Sequence, residues 1–206
     1  MTVLILQLVG VAAFVLGTLV IAVLVRRRPE PAVGAATRRV SDVLFWSAIV
    51  PPWALGMLVP GPAALDKIAG LPPLPLSLAL RVVLGGAMLV AGVAFMQLSM
   101  GALRHQGRGA PAFKITQVVA VRGVYALVRN PMALGFYLGC LGGAVLAGST
   151  YMLLYTALGV IPAHLLNLKL FEEFELSLRY GESYDRYRDT TPFLIPRLRV
   201  RSVTTE

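Results

Sequence analysis

Residues 132–168 read MALGFYLGCLGGAVLAGSTYMLLYTALGVIPAHLLNL, 37 positions without a formal charge. A hydrocarbon core of about 30 Å takes roughly 20 residues of helix, so this run is too long for one span and right for two. Gly148-Ser149-Thr150 is the tight turn that would divide it. Read outward, the pattern repeats. The first 25 residues carry no charge and would form a helix of about 37 Å. Arg26-Arg27-Arg28 follow that run instead of preceding it, which argues for an uncleaved spanning helix over 2–25 and against a signal peptide. A second segment is expected to start after Ser41-Asp42 as N-cap and to run to about Pro60, kinked at Pro51-Pro52, with Trp46 and Trp53 as interface residues. A third runs from about Leu76 to Met100, broken only by Arg81 and Gln97. Residues 60–75 are turn-rich. The fold class expected is therefore an all-α integral membrane protein of about five transmembrane helices with a C-terminal helical tail.

Composition agrees. Of 206 residues 57% are apolar and 14% charged, against roughly 25% charged in soluble domains. A disordered chain and a disulfide scaffold are excluded, since Cys140 is the single cysteine. The net charge of +9 does not point to nucleic acid. Of the 19 basic side chains, 17 fall in the 26–39 segment, the 101–131 segment and the tail from Lys169. By the positive-inside rule these face the cytoplasm and the N-terminus lies outside, in the cytoplasmic membrane. The chain divides into three N-terminal helices (1–100) and a second region (101–206) holding a loop, the helix hairpin 132–169 and the tail.

Most polar information lies in 101–131 and 169–196. Pro131 suits the first turn of the fourth helix and Asn130 its N-cap, so backbone donors and Arg129 would form a site for a carboxylate or phosphate. An arginine against lipid headgroups accounts for the same residues. Glu172 and Glu173 should point apart, with Glu172 and Glu175 on one face. Glu175–Arg179 and Glu182–Arg186 have the spacing of helical ion pairs. Tyr180, Tyr184 and Tyr187 form a stripe, broken by Gly181, that reads as packing more readily than as a stacking pocket. His164 in an apolar run is a functional candidate by position. A satisfied structural histidine explains it equally, and it is not counted among the site residues. Gly135, Gly139, Gly142 and Gly143 read as a close helix–helix contact, and Arg81 as a side chain reaching for the outer interface. No His/Cys cluster has metal-ligand spacing, and no nucleophile elbow or P-loop is present.

Gly123-Val124-Tyr125, then Arg129-Asn130-Pro131-Met132 and Gly135, then Glu172-Glu173, then Tyr180-Gly181-Glu182-Ser183-Tyr184-Asp185-Arg186-Tyr187 together resemble the isoprenylcysteine carboxyl methyltransferase family and the related phospholipid methyltransferases. The Gly107–Pro111 loop is similar to a Gly-x-Gly-Thr-Pro loop of bacterial relatives, with Ala110 for threonine. The resemblance covers roughly 95–197. Asn130 stands where better-known members have histidine, Ala133 where they have tyrosine, and Tyr180 where they have phenylalanine.

The resemblance implies S-adenosylmethionine bound from the cytoplasmic side, and a lipophilic acceptor, carboxylate or amine, drawn from the bilayer. Arg129 and Asn130 would anchor the cofactor carboxylate, and Gly123 and Tyr125 would shape the covering loop. Glu172 and Glu173 would position the cofactor or accept a proton, and Tyr184 and Tyr187 would close the adenosine side. Pro131, Leu134 and Gly135 belong to the same binding motif, and Glu172, Glu173 and Arg129 make the catalytic set. Membrane lipids are the expected partners, with no nucleic acid and no metal. Two alternatives are a sterol-reductase-like enzyme using NADPH and a non-catalytic lipid-binding protein. Transport is disfavoured by the lack of an internal repeat.

Overall fold

The structure, a computed structural model, describes residues 1–107 and 116–196. Within the Gly107–Pro111 loop, Arg108 onward lies outside the described residues. The described residues form helices and no strands: α1 (Thr2–Arg27), α2 (Pro31–Leu58), α3 (Pro62–Ile68), α4 (Leu78–His105), α5 (Val124–Leu127), α6 (Pro131–Ala147), α7 (Thr150–Tyr180) and α8 (Glu182–Thr190). Four of them (α1, α2, α4 and α7) are long and apolar enough to cross a membrane, and α6 is a shorter apolar helix of 17 residues. The chain is an integral membrane protein.

Burial in α1 recurs at three- and four-residue steps, through Gln7, Gly10, Phe14, Thr18, Ile21 and Val25. The intervening Leu8, Leu16 and Val20 are exposed, the pattern of a helix with one face on protein and the other on lipid tails. Helix α2 begins ten residues earlier than the Ser41-Asp42 start expected from sequence. Pro31 is its first residue, and Gly34, Thr37 and Ser41 are buried along it. Those small polar residues resemble a cap in sequence, but they are the face that lets α2 approach its neighbours. Asn167 Nδ2 of α7 donates to Ser41 Oγ (2.9 Å) and to Thr18 Oγ1 (3.0 Å), tying three helices together.

The kink expected at Pro51-Pro52 is realised as a wider, π-helical turn over Phe45–Ile49. A second π segment, Tyr155–Val160, precedes Pro162 in α7. A proline cannot donate to the carbonyl four residues back, and a wider turn ahead of it relieves the clash of its ring. Trp53 is half-buried against α7, its Nε1 donating to Thr156 Oγ1 at 2.9 Å.

Gly148 takes the left-handed conformation (φ 68°) that ends α6, and Ser149 caps α7 through Met152 N at 3.1 Å. The turn-rich 60–75 segment contains α3, whose buried Asp66 accepts from Ser149 Oγ (2.9 Å) and Tyr151 N (2.7 Å) at the start of α7. Arg81 lies against Gly148. Helices α4 and α6 meet backbone to backbone. A Cβ on Gly92 would stand 2.7 Å from Gly135 O and Gly139 N, and one on Gly85 2.8 Å from Gly142 O. The glycine contact read from α6 thus has its complement in α4, while Gly143 faces Trp53.

Candidate functional site

The ends of α2, α4, α6 and α7 that carry the arginines surround a cavity of about 250 Å³, closed on the remaining side by residues 116–120, α5 and α8. Its wall on α7 carries His164, Leu168, Glu172, Leu176 and Tyr180, four residues apart, with Asn167 and Arg179 beside them. In a pure α-helix such a series drifts by about 40° per step. The π segment Leu168–Glu172 takes part of that drift back, so five side chains stay on one wall.

Glu172 and Glu173 diverge, as expected. Glu172 Oε1 is 2.7 Å from Arg38 Nη1, whose Nε is 3.1 Å from Asp42 Oδ1. Glu173 Oε1 is 3.1 Å from Arg129 Nη2 and 3.2 Å from Lys169 Nζ. Glu175 shares the α2-facing side with Glu172. It is fully buried beside Gly34, with Oε1 2.6 Å from Arg179 Nε in an ion pair too poorly aligned to count as a hydrogen bond. The pair expected between Glu182 and Arg186 does not form; among the described residues Asp185 pairs with Arg188 at 3.3 Å instead.

Arg129 has 9% of its side chain exposed. Its Nε and Nη1 are buried without a hydrogen-bond partner, on the cavity wall. Asn130 precedes α6 but does not cap it through its side chain. Its Nδ2 donates to Phe193 O at 3.1 Å, and Arg129 N donates to Pro192 O at 2.8 Å, so this pair holds the tail across the site. Phe193 then lies under both cations, 5.6 Å from the Arg129 guanidinium and 3.8 Å from Lys169 Nζ.

Tyr187 Oη donates to Tyr125 O at 2.7 Å, and the Tyr184 and Tyr187 rings are 6.2 Å apart. Burial pushes the hydroxyls of Tyr125, Tyr184 and Tyr187 well above the usual phenol range, so all three are neutral donors. Tyr180 Oη donates to Thr116 O and receives Arg179 Nη2 at 2.8 Å. The tyrosine stripe is both packing and cavity wall.

Of the residues singled out in the sequence, Tyr125, Arg129, Asn130, Glu172, Tyr184 and Tyr187 meet at the cavity. Others do not line it. Gly123 (φ 65°) starts α5, and Pro131 starts α6. Leu134 is off the wall, and Gly135 packs on Gly92 and Met96. Glu173 is off the wall and pairs with Arg129 and Lys169. Sequence reading missed Arg38, Asp42, Phe45 and Arg179, and left out His164, all of which line the cavity. The i,i+4 spacing of Arg38 and Asp42 was the available signal, obscured because that stretch reads as a loop. Among the described residues no three His, Cys, Asp or Glu side chains converge as a metal site.

A family model described as phospholipid methyltransferase matches residues 80–183, half of the chain. The chain belongs to the phospholipid methyltransferase family. The match runs from α4 into α8 and contains Arg129, Glu172, Glu173 and Tyr180; α1, α2 and the Arg38–Asp42 pair lie outside it. No curated protein and no solved structure matches the chain. As a phospholipid methyltransferase family member it is a membrane methyltransferase whose cavity is lined mostly by residues inside the family match, with α2, Tyr184 and Tyr187 added from outside it.

Proposed function

We propose that this protein transfers a methyl group from S-adenosylmethionine to a lipophilic acceptor drawn from the bilayer. One observation carries the proposal. Arg129 is nearly buried and paired with Glu173, lines a cavity ringed by tyrosines, and has two guanidinium nitrogens without a hydrogen-bond partner. A buried guanidinium with one nitrogen on Glu173 and two without a partner suits a carboxylate, the anionic end of that cofactor. The free backbone donors of the first turn of α6 reinforce it. The Asn130 amide is spent on the tail, so anchoring rests on Arg129. Glu172 offers a carboxylate to the cofactor's cationic groups, and Tyr125, Tyr184 and Tyr187 offer ring faces and neutral hydroxyls.

The bound cofactor supplies an electrophilic methyl on a sulfonium. The chain's own contribution is alignment and exclusion of water: α6, α7, α8 and the tail enclose the donor side, and α2 meets them at Glu172. Trp46, which is 48% exposed, lines the cavity from α2 and marks the side open to lipid. The arginine-rich end is assigned to the cytoplasm.

Purified protein in detergent should be thermally stabilised by S-adenosylmethionine and by S-adenosylhomocysteine, by about 2.7 kcal/mol at a hundredfold excess over Kd. NADPH should have no effect. Arg129→Ala should abolish the stabilisation while the protein still folds. Stabilisation by NADPH alone, or undiminished donor binding in Arg129→Ala, would reject the proposal. Incubation with methyl-labelled donor and fractionated membrane lipids then identifies the acceptor.

A further inference from the structure

His164 has no part in the donor site. It stands on the cavity wall three residues before Asn167, stacked on Phe45 with ring centroids 4.4 Å apart. Phe136 and Tyr137 meet it edge-on at 6.3 and 5.6 Å. Tyr137 Oη is 3.0 Å from Nδ1, and that hydroxyl has no other partner among the described residues. No described side chain bonds to Nε2, and the ring keeps partial exposure on the cavity wall. The contact admits two tautomers: Tyr137 Oη donates to Nδ1 and the ring proton sits on Nε2, or Nδ1–H donates to the Tyr137 oxygen and Nε2 keeps its lone pair on the open side; the second is the one the proposal requires. The imidazole is then held on one edge and free on the other, the arrangement of a general base fixed by an orienting partner.

The other bases on the wall are committed. Glu172 and Asp42 share Arg38 at 2.7 and 3.1 Å, and taking up a proton would break the pairs that compensate a guanidinium inside the bundle. Glu173 is off the wall, between Arg129 and Lys169. The groups around His164 are Arg38 and Asp42 from α2, Tyr137 from α6 and Glu172 from its own helix; the three charged ones are paired with one another, and the imidazole and the Tyr137 hydroxyl have no ionic partner. Its neighbours Phe45, Trp46 and Phe136 make this side of the cavity apolar and suited to a lipid.

We propose that His164 is the proton acceptor for a methyl acceptor bearing a dissociable proton (an ammonium, thiol or hydroxyl lipid) placed in the cavity beside Phe45 and Phe136, a role that rests on the methyltransferase reading above. The carbon–sulfur bond of the donor breaks with its electron pair left on sulfur, which becomes a neutral thioether. The acceptor's lone pair forms the new bond to the methyl carbon, and its proton moves to Nε2. For an ammonium the proton leaves first. The imidazolium then releases the proton to water at the cavity mouth. A carboxylate acceptor is already ionised at neutral pH and would need no such group.

The chain has two histidines, so His105→Gln leaves His164 as a single imidazole for ¹⁵N NMR in nanodiscs. Without donor, the expected tautomer has the proton on Nδ1, and Tyr137→Phe should erase that preference; a proton on Nε2 overturns the proposal. In turnover, the probes are phosphatidylethanolamine, hexadecanethiol and hexadecanol, with oleate as the carboxylate. Methylation of at least one proton-bearing probe, falling about a hundredfold in His164→Gln with stabilisation by S-adenosylhomocysteine intact, supports it. Methylation of oleate alone, of none of the three, or a His164→Gln rate within threefold of wild type overturns it. Where His164→Gln does not fold, Tyr137→Phe should lower the same rate about tenfold, and an unchanged rate overturns it. Absence of donor binding in the wild type is a separate result and sinks the methyltransferase reading itself.

Discussion

Glu173 shows how one carboxylate can matter to a site it does not line. It reaches Arg129 and Lys169 but not the cavity, so its effect on a ligand passes through the orientation of the guanidinium. Glu173→Gln should weaken S-adenosylhomocysteine binding about tenfold, since a hydrogen bond to a charged group contributes roughly 1.5 kcal/mol. A titration giving an unchanged Kd would remove Glu173 from the site. Tyr187 acts by a neutral bond. Because burial holds its hydroxyl protonated where an unfolded tyrosine would ionise, its stabilisation is present below the ordinary phenol value of about 10 and is lost as pH rises beyond it. Tyr187→Phe should cost about 1–2 kcal/mol at neutral pH, by leaving the Tyr125 carbonyl unpaired. It should also flatten the fall in melting temperature between pH 8 and 11. An equally steep fall in the variant would place the alkaline sensitivity elsewhere.

At the scale of elements, two devices set the geometry. Glycines let α4 and α6 touch through their backbones, and the π segment Leu168–Glu172 turns α7 so that cavity-facing side chains keep to one side. The first device gives a contrast within one helix. Gly92→Leu should prevent the α4–α6 contact and leave little folded protein, because even its Cβ would collide with Gly135 and Gly139. Gly86→Ala, where a Cβ meets nothing within 4 Å, should be neutral or stabilise by up to about 1 kcal/mol through helix propensity. Size-exclusion profiles and melting temperatures in detergent would separate the two; equal behaviour would refute the backbone contact. Glycine spacing in α6 was readable as a contact, but its partner was not, because Gly85 and Gly92 sit in a run that periodicity shows only as apolar. The π segments left no mark beyond the prolines that follow two of them.

At the scale of the whole molecule, the basic residues and the candidate site share one end, while Gln7, Asp66 and Tyr151 bond to one another's helices at the other. The proposed positive-inside topology would put the site at the cytoplasmic face. A cysteine at Glu30, beside the first arginine run, should react with an impermeant maleimide only after the cytoplasmic face is opened, and one at Lys67 should react from outside; both positions are exposed. The reverse labelling would invert the topology and put the cavity on the wrong side for a cytoplasmic cofactor.

Helix-forming apolar runs, the turn at Gly148 and the gathering of charge at one end follow from sequence alone, because solvation by lipid acts on each segment separately and needs no knowledge of neighbours. The motif around Arg129 was legible for the same reason, as it lies within a short stretch before one helix. Which residues complete the cavity was decided only by tertiary packing. Arg38 and Glu172 are 134 positions apart, yet their side chains are 2.7 Å apart. Arg38 becomes a cavity residue only because Gly34, Thr37 and Ser41 let α2 lie against α1 and α7. Pairing between distant helices depends on the shape each presents to the other, and that complementarity exists only once the bundle has assembled.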